Sequence, residues 1–276
     1  MDSATPTRLI VNADDFGRSH SINEAVIRAH NEGVLTTASL MATGGAFDDA
    51  VEQAHKNPRL GVGLHITLIC GRSILKPTEV PGLVNKKYEL GRNPAWVGFK
   101  YFIFPSIRRQ LRQEMNAQFT KFKSTGLPLD HVNGHLHMHL HPTVFSVLKE
   151  QIRAWGIKHM RLTREPLGVN LRVAGGRWAY RMFHSGAFGL LSASAERHFK
   201  AHGVKHTDRV FGMLQDGRVN EEYILKLLPR LPGGIFELYS HPSMDEFRHE
   251  FDALVSPKVA EMIRSRRIEL IRYQDI

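Results

Sequence analysis

Four short stretches of the chain put carboxylates and imidazoles where catalysis could use them. In Asn12-Ala13-Asp14-Asp15-Phe16-Gly17, a stretch that directly follows the apolar Leu9-Ile10-Val11, two carboxylates stand side by side. Neighbouring carboxylates repel, and a nearby cation is the natural means of keeping both ionised. At a strand end their side chains should point apart, so they can divide the work of metal ligand and proton acceptor. The plainer reading of the pair is a turn leading into a helix. In Gly63-Leu64-His65-Ile66-Thr67-Leu68 a single histidine interrupts an apolar run, and it reads as a ligand or as a satisfied core residue.

The densest cluster is His131-Val132-Asn133-Gly134-His135-Leu136-His137-Met138-His139-Leu140-His141-Pro142. If it is extended, its histidines share one face. Residues two apart are then separated by about 6.6 Å and the outermost pair by roughly 33 Å, so one or two at most can hold a single ion. The others would contact substrate, support the ligands or cap a helix. Glu237-Leu238-Tyr239-Ser240-His241-Pro242 ends a further apolar run in a histidine. An imidazole that titrates near neutrality suits proton donation to a leaving amine.

The set contains no thiolate. Cys70 is the only cysteine, so neither a cysteine zinc site nor an internal disulfide can form, and a reducing cytoplasm is expected. Two imidazoles and a carboxylate with open positions for water make the composition of a catalytic hydrolytic site rather than a structural one. Such ligands accept zinc, manganese, cobalt or, less readily, magnesium.

Positioning these groups requires strands that end at a common rim. Arg8 to Asn12 reads as a buried strand, and Ser21-Ile22-Asn23-Glu24 has the form of a helix-capping box, predicting a helix to Gly33. Val34–Ala42 and Leu60–Leu68 read as strands flanking a helix over Ala46–Lys56. Leu111, Met115, Phe119 and Phe122 recur at helical spacing toward Gly126, and Pro142 and Gly156 suit the start and end of another helix. Lys158–Thr163, Gly234–Ser240 and Glu269–Tyr273 read as strands, and Glu221–Leu228 and Pro257–Arg266 as helices. The expected fold is α/β, an irregular (β/α) barrel of mostly parallel strands whose chemistry collects at the carboxyl ends. Gly71–Pro105 and Glu165–Asp216 are long for connections and are expected to build a lid or walls at that rim. One domain over residues 1–276 is expected.

With 37 Lys and Arg against 27 Asp and Glu, the chain carries a formal charge of +10, which favours anionic surroundings. No nucleic-acid-binding signature accompanies the basic groups, so nucleic acid is not expected as a partner. Met1–Thr7 has no secretory pattern, and no apolar run reaches the length of a membrane span.

Taken in order, these motifs resemble the YdjC/ChbG-like carbohydrate deacetylases, marked by N-A-D-D-F-G, a G-x-H-x-x-L strand, an H-x-x-x-H-x-H-x-H run and a late H-P. The resemblance spans Leu9 to Pro242. It implies one divalent ion, magnesium or zinc, held by Asp15, His65 and His135, with Asp14 as proton acceptor and His241 as proton donor. Asn133, His137, His139 and Glu237 would support the ligands or meet substrate; many relatives carry Asp at the position of Asn133. Met41–Phe47, His65–Arg72 and the run from Gly134 to Pro142 are similar to the hopanoid-biosynthesis branch, which implies an N-acetylglucosaminyl group on a hopanoid lipid as substrate. The enzyme would then work in the cytoplasm at the inner membrane face, with the apolar-basic Trp96–Arg112 as a point of peripheral contact. Deacetylation of soluble chitooligosaccharides, a metallo-phosphodiesterase and a non-catalytic sugar or lipid carrier are the alternatives.

Overall fold

The computed structural model describes residues 5–276. Strand and helix alternate through the first part of the chain: β1 (Thr7–Phe16), α1 (His20–Glu32), β2 (Thr37–Leu40), α2 (Phe47–Lys56) and β3 (Gly61–Ile66). After a long connection come α3 (Pro94–Ile103), α4 (Pro105–Ser124), β4 (Val132–Gly134) and α5 (Pro142–Trp155). The remainder comprises α6 (Leu167–Val173), α7 (Trp178–His202), β5 (Arg209–Phe211), α8 (Glu221–Leu227), β6 (Gly234–Ser240), α9 (Arg248–Leu254), α10 (Pro257–Ser265) and β7 (Glu269–Leu270).

The strands form one parallel sheet in the order β4-β3-β2-β1-β6-β5, with β7 joining β1. Every residue of β2 and β3 is buried, as expected for parallel strands covered on both faces. Leu111, Met115, Phe119 and Phe122 of α4 are buried at the predicted spacing, and Phe119 stacks on Trp155 of α5 with ring centroids 4.2 Å apart. The sheet curls into an irregular barrel, as expected. Lys158–Thr163, read as a strand, forms only single bridges, Val132↔Met160 and His159↔Lys205. These bridges are what join β4 back toward β5, so the closure of the arc is irregular.

Some boundaries differ from the sequence reading. Helix α1 is capped by Ser19, whose side chain accepts from the Ile22 amide, and not by Ser21. The predicted last strand shortens to β7, and Tyr273 enters a short turn of helix. Glu165–Asp216 is not a loose wall: it holds the 25-residue α7, whose small and aromatic residues lack a clear polar side. The histidine run leaves the sheet after Gly134 and turns as a short 3-10 segment, His135–Leu140, with Leu136 and His137 at positive φ. Its histidines therefore do not share a face.

Candidate active site

Local backbone geometry brings the acidic pair inward. The pairing of β1 with β2 shifts register between Ala13 and Phe16, and Asp15 adopts φ +66°. This is the left-handed region, which Asp tolerates better than most side chains. Gly17 follows at φ +89° and takes the chain away into α1. The two carboxylates consequently do not point apart: His65 Nδ1 lies 3.9 Å from Asp14 Oδ1, and its Nε2 lies 3.3 Å from Asp15 Oδ1.

Asp15 Oδ1, His65 Nε2 and His135 Nδ1 form a small triangle with sides of 3.3, 3.0 and 3.3 Å, and all three residues are buried. The protonation pattern follows from the neighbours. Asn133 Nδ2 donates to Asp14 Oδ1 at 3.1 Å and to Ser39 Oγ at 2.8 Å, which leaves its Oδ1 to accept from His65 Nδ1 at 2.7 Å. His65 thus carries its proton on Nδ1 and turns a lone pair on Nε2 toward the triangle. Asp15 Oδ1 has no hydrogen-bond partner although it is buried, while Oδ2 accepts from Arg18 at 2.8 Å. A buried, charged, unsatisfied oxygen facing two imidazole nitrogens is costly without a cation. The donor set of two imidazoles and one carboxylate therefore fits a divalent ion.

Asp14 is held from all sides. Arg161 Nη1 and Nη2 donate to its two oxygens at 2.7 and 2.9 Å, and Asn12 Nδ2 donates at 2.9 Å. Burial alone would raise its pKa, but the guanidinium and the neighbouring imidazoles outweigh that and hold it far below the ordinary carboxylate range. Arg161 is itself fully buried. It also donates to Glu237 at 2.6 to 3.1 Å, packs 4.3 Å from the centre of the Tyr239 ring, and shares Glu237 with the Tyr273 hydroxyl at 2.5 Å. Sequence reasoning missed this arginine because the segment that carries it has no motif. Its one signal was an arginine inside an apolar run, His159-Met160-Arg161-Leu162.

His131, the first of the histidine run, joins two residues that sequence reasoning missed, Asp130 and Ser39, with the connectivity of a nucleophilic triad: Asp130 Oδ2 to His131 Nδ1 at 2.9 Å, and His131 Nε2 to Ser39 Oγ at 2.9 Å. All three are sealed in the core, and Ser39 accepts from the amides of Asn12 and Asn133. The relay thus orients two asparagines against Asp14 and presents no nucleophile to solvent. Gly63 makes room for it, since a Cβ there would lie 2.5 Å from the His131 ring.

Of the histidine run, only His135 reaches the triangle. His137 Nε2 lies 3.0 Å from the Tyr239 hydroxyl, His139 Nε2 donates to the Arg161 carbonyl at 3.2 Å, and His141 Nε2 donates to the Gly98 carbonyl at 3.0 Å. Burial, reinforced by the charge of Arg161, keeps His137 neutral and pushes His139 down to about 3. His241 lines an open cleft together with Asp15, Arg18 and Phe247. Its Nδ1 is 3.6 Å from Asp216 Oδ1, and its amide donates to the buried Glu250 at 2.6 Å. Burial would lower its pKa, yet Asp15, Asp216 and Asp14 raise it.

Fold and site together define an α/β protein with a buried Asp-His-His cluster, its donor atoms close enough to share one cation, at the carboxyl ends of the strands of a curled parallel sheet. The family model described as YdjC-like protein matches residues 8–265, and the chain belongs to that family. It is 40% identical to a carbohydrate deacetylase of Geobacillus stearothermophilus over 146 residues, which are 52% of this chain and 56% of that one. It is 29% identical to carbohydrate deacetylase 2 of Listeria innocua over 284 residues, 98% of each. The chain spans about half the length of several curated relatives that it matches, the Geobacillus protein among them. A crystal structure from Enterococcus faecalis V583 has the same fold, with a TM-score of 0.73, 24% identity and coverage of 98% of this chain and 99% of that one.

Proposed function

We propose that the protein is a cation-dependent amide hydrolase that removes the acetyl group from an N-acetylated amino sugar. The observation that carries this reading is the buried Asp15-His65-His135 triangle, whose carboxylate oxygen lacks any donor, beside an ionised Asp14 and within the cleft of His241. The family membership and the names of the relatives support the same reaction.

A divalent ion, when bound by Asp15, His65 and His135, supplies polarisation of the acetamide carbonyl and acidifies water. The chain does the rest. Asp14, oriented by Arg161, Asn12 and Asn133, accepts the proton that water loses as its oxygen attacks the acetamide carbon. The C–N bond then breaks, His241 gives a proton to the departing nitrogen, and acetate and a free amino sugar leave. Arg161 and Asn133 act by positioning, and Glu237 by holding Arg161. His137 and His139, both neutral, pack the floor beside Tyr239.

At finer grain, the substrate is an N-acetylglucosaminyl group on a hopanoid lipid, handled by a single domain in the cytoplasm at the inner membrane face. The resemblance of Met41–Phe47 and of the run from Gly134 to Pro142 to that branch supports this choice. Exposure of Trp96, Phe99 and Phe102 on α3 agrees with a lipid aglycone.

Acetate release from an N-acetylglucosaminyl hopanoid and from N,N′-diacetylchitobiose tests the proposal, with and without chelator and with metal restored. Chelator-sensitive release carries the deacetylase reading, and the preferred substrate decides between lipid and oligosaccharide. Release from neither, with metal bound, would replace it by the carrier. Hydrolysis of a model phosphodiester would replace it by the phosphodiesterase, which usually wants a second ion.

A further inference from the structure

Hydrocarbon at the surface is concentrated on two helices. On α3, Val97 and Tyr101 face the core, while Trp96, Phe99 and Phe102 are 58%, 53% and 65% exposed. On α7, Ala195 and Phe199 face the core, while Trp178, Phe183 and Leu190 are 68%, 71% and 78% exposed. A helix at a water boundary normally turns a polar face outward, and a contiguous apolar surface marks a contact.

Both helices lean on the turn that carries His135. The Gly98 carbonyl of α3 accepts from His141, and Phe188 of α7 meets the His137 ring edge-on at 5.2 Å. Leu136, next to His135, is exposed as well. The apolar surface therefore borders the approach to the site.

Its charge is one-sided. None of the 27 acidic residues falls in Leu90–Gln113 or Pro166–Ala195, which hold all of α3 and the part of α7 that carries the exposed apolar side chains; Glu196, further along α7, is paired with Arg164 and Lys200. Arg92, Arg109, Arg172 and Arg177 are exposed on the same stretches. Among the described residues no helix is long and apolar enough to cross a membrane.

We infer that α3 and α7 together form a docking surface for an anionic lipid bilayer, their aromatic side chains entering the boundary between headgroups and acyl chains and the arginines meeting lipid phosphates. A second copy of the chain suits this surface poorly, because a two-fold contact would set arginine-bearing, acid-free patches against each other. The inference rests on surface composition and holds whether or not the sugar is lipid-linked.

The test is binding of the full chain to vesicles of phosphatidylcholine with and without phosphatidylglycerol. Trp96 and Trp178 report through quenching by lipids brominated along the acyl chain. Binding that needs phosphatidylglycerol, with quenching, is expected. The variants Phe99→Ser/Phe102→Ser and Phe183→Ser/Leu190→Ser should each weaken partitioning by about tenfold or more. Neither should alter chelator-sensitive turnover of soluble chitobiose, so loss of docking is separable from loss of the deacetylase reading. Absence of vesicle binding or of quenching by the wild type would overturn the inference. So would undiminished binding by both variants, or a wild-type dimer in light scattering that these variants convert to monomer.

Discussion

The guanidinium of Arg161 grips both oxygens of Asp14 at 2.7 and 2.9 Å and turns its other edge to Glu237 at 2.6 Å, with all three side chains buried. One cation thus compensates two carboxylates from different strands, β1 and β6. Removing it leaves both charges in a low-dielectric interior. Arg161→Met should cost about 3–5 kcal/mol in urea unfolding. The Glu237→Gln change should cost less in that background than in the wild type, and equal costs in both backgrounds would show that the two residues do not act as a pair.

The two adjacent aspartates should separate by function. Asp15→Ala should lose the ion, measured by elemental analysis after dialysis, and turnover with it. Asp14→Asn should keep the ion while acetate release falls about 10²–10⁴-fold. Full turnover by Asp14→Asn would remove the proton acceptor from that position.

Asn133 fixes the tautomer of His65 and donates to Asp14. Asn133→Ala should weaken cation affinity about 10–100-fold in a competition titration with a chromogenic chelator. Asn133→Asp sets a carboxylate against Asp14. Its destabilisation, about 1–3 kcal/mol, should be larger in chelator than with metal restored. Equal loss in both conditions would mean that the cost is one of packing rather than charge.

A pH dependence of stability arises away from the site. Glu165 is buried beneath Asn170, Tyr223 and the Leu214 amide, and burial outweighs these hydrogen bonds and raises its pKa to about 7. The folded pKa is above the unfolded one, so the protonated acid favours the fold. That contribution is complete below pH 4.5 and is lost as pH rises through about 7. Its full range is about 3 kcal/mol. In denaturant titrations Glu165→Gln should flatten the decline between pH 5 and 8 relative to wild type, and an unchanged slope would acquit this residue.

Much of the framework was legible in the chain. Gly234–Ser240 forms β6 as predicted, and Pro142 and Gly156 bound α5, because caps and runs of buried residues are local signals. The triangle of Asp15, His65 and His135 was legible through motif resemblance, not through spacing, since the three lie far apart in sequence. Arg161 was not legible: its role depends on carboxylates distant in the chain, and a lone arginine has no periodicity. The histidine run misled because Leu136 and His137 adopt left-handed conformations that no alternation rule anticipates.

The strand order has a consequence for how the protein is made. β1 lies between β2 and β6, and its pairing with β6 runs from Thr7↔Gly234 to Ala13↔Ser240. One edge of the first described strand therefore stays unpaired until residues near 240 have left the ribosome, and Asp14 waits that long beside a sheet lacking Glu237. Folding is completed late in synthesis, and a nascent chain stalled before β6 exposes a long hydrophobic strand edge, which ties the production of this protein to whatever shields such edges in the cell.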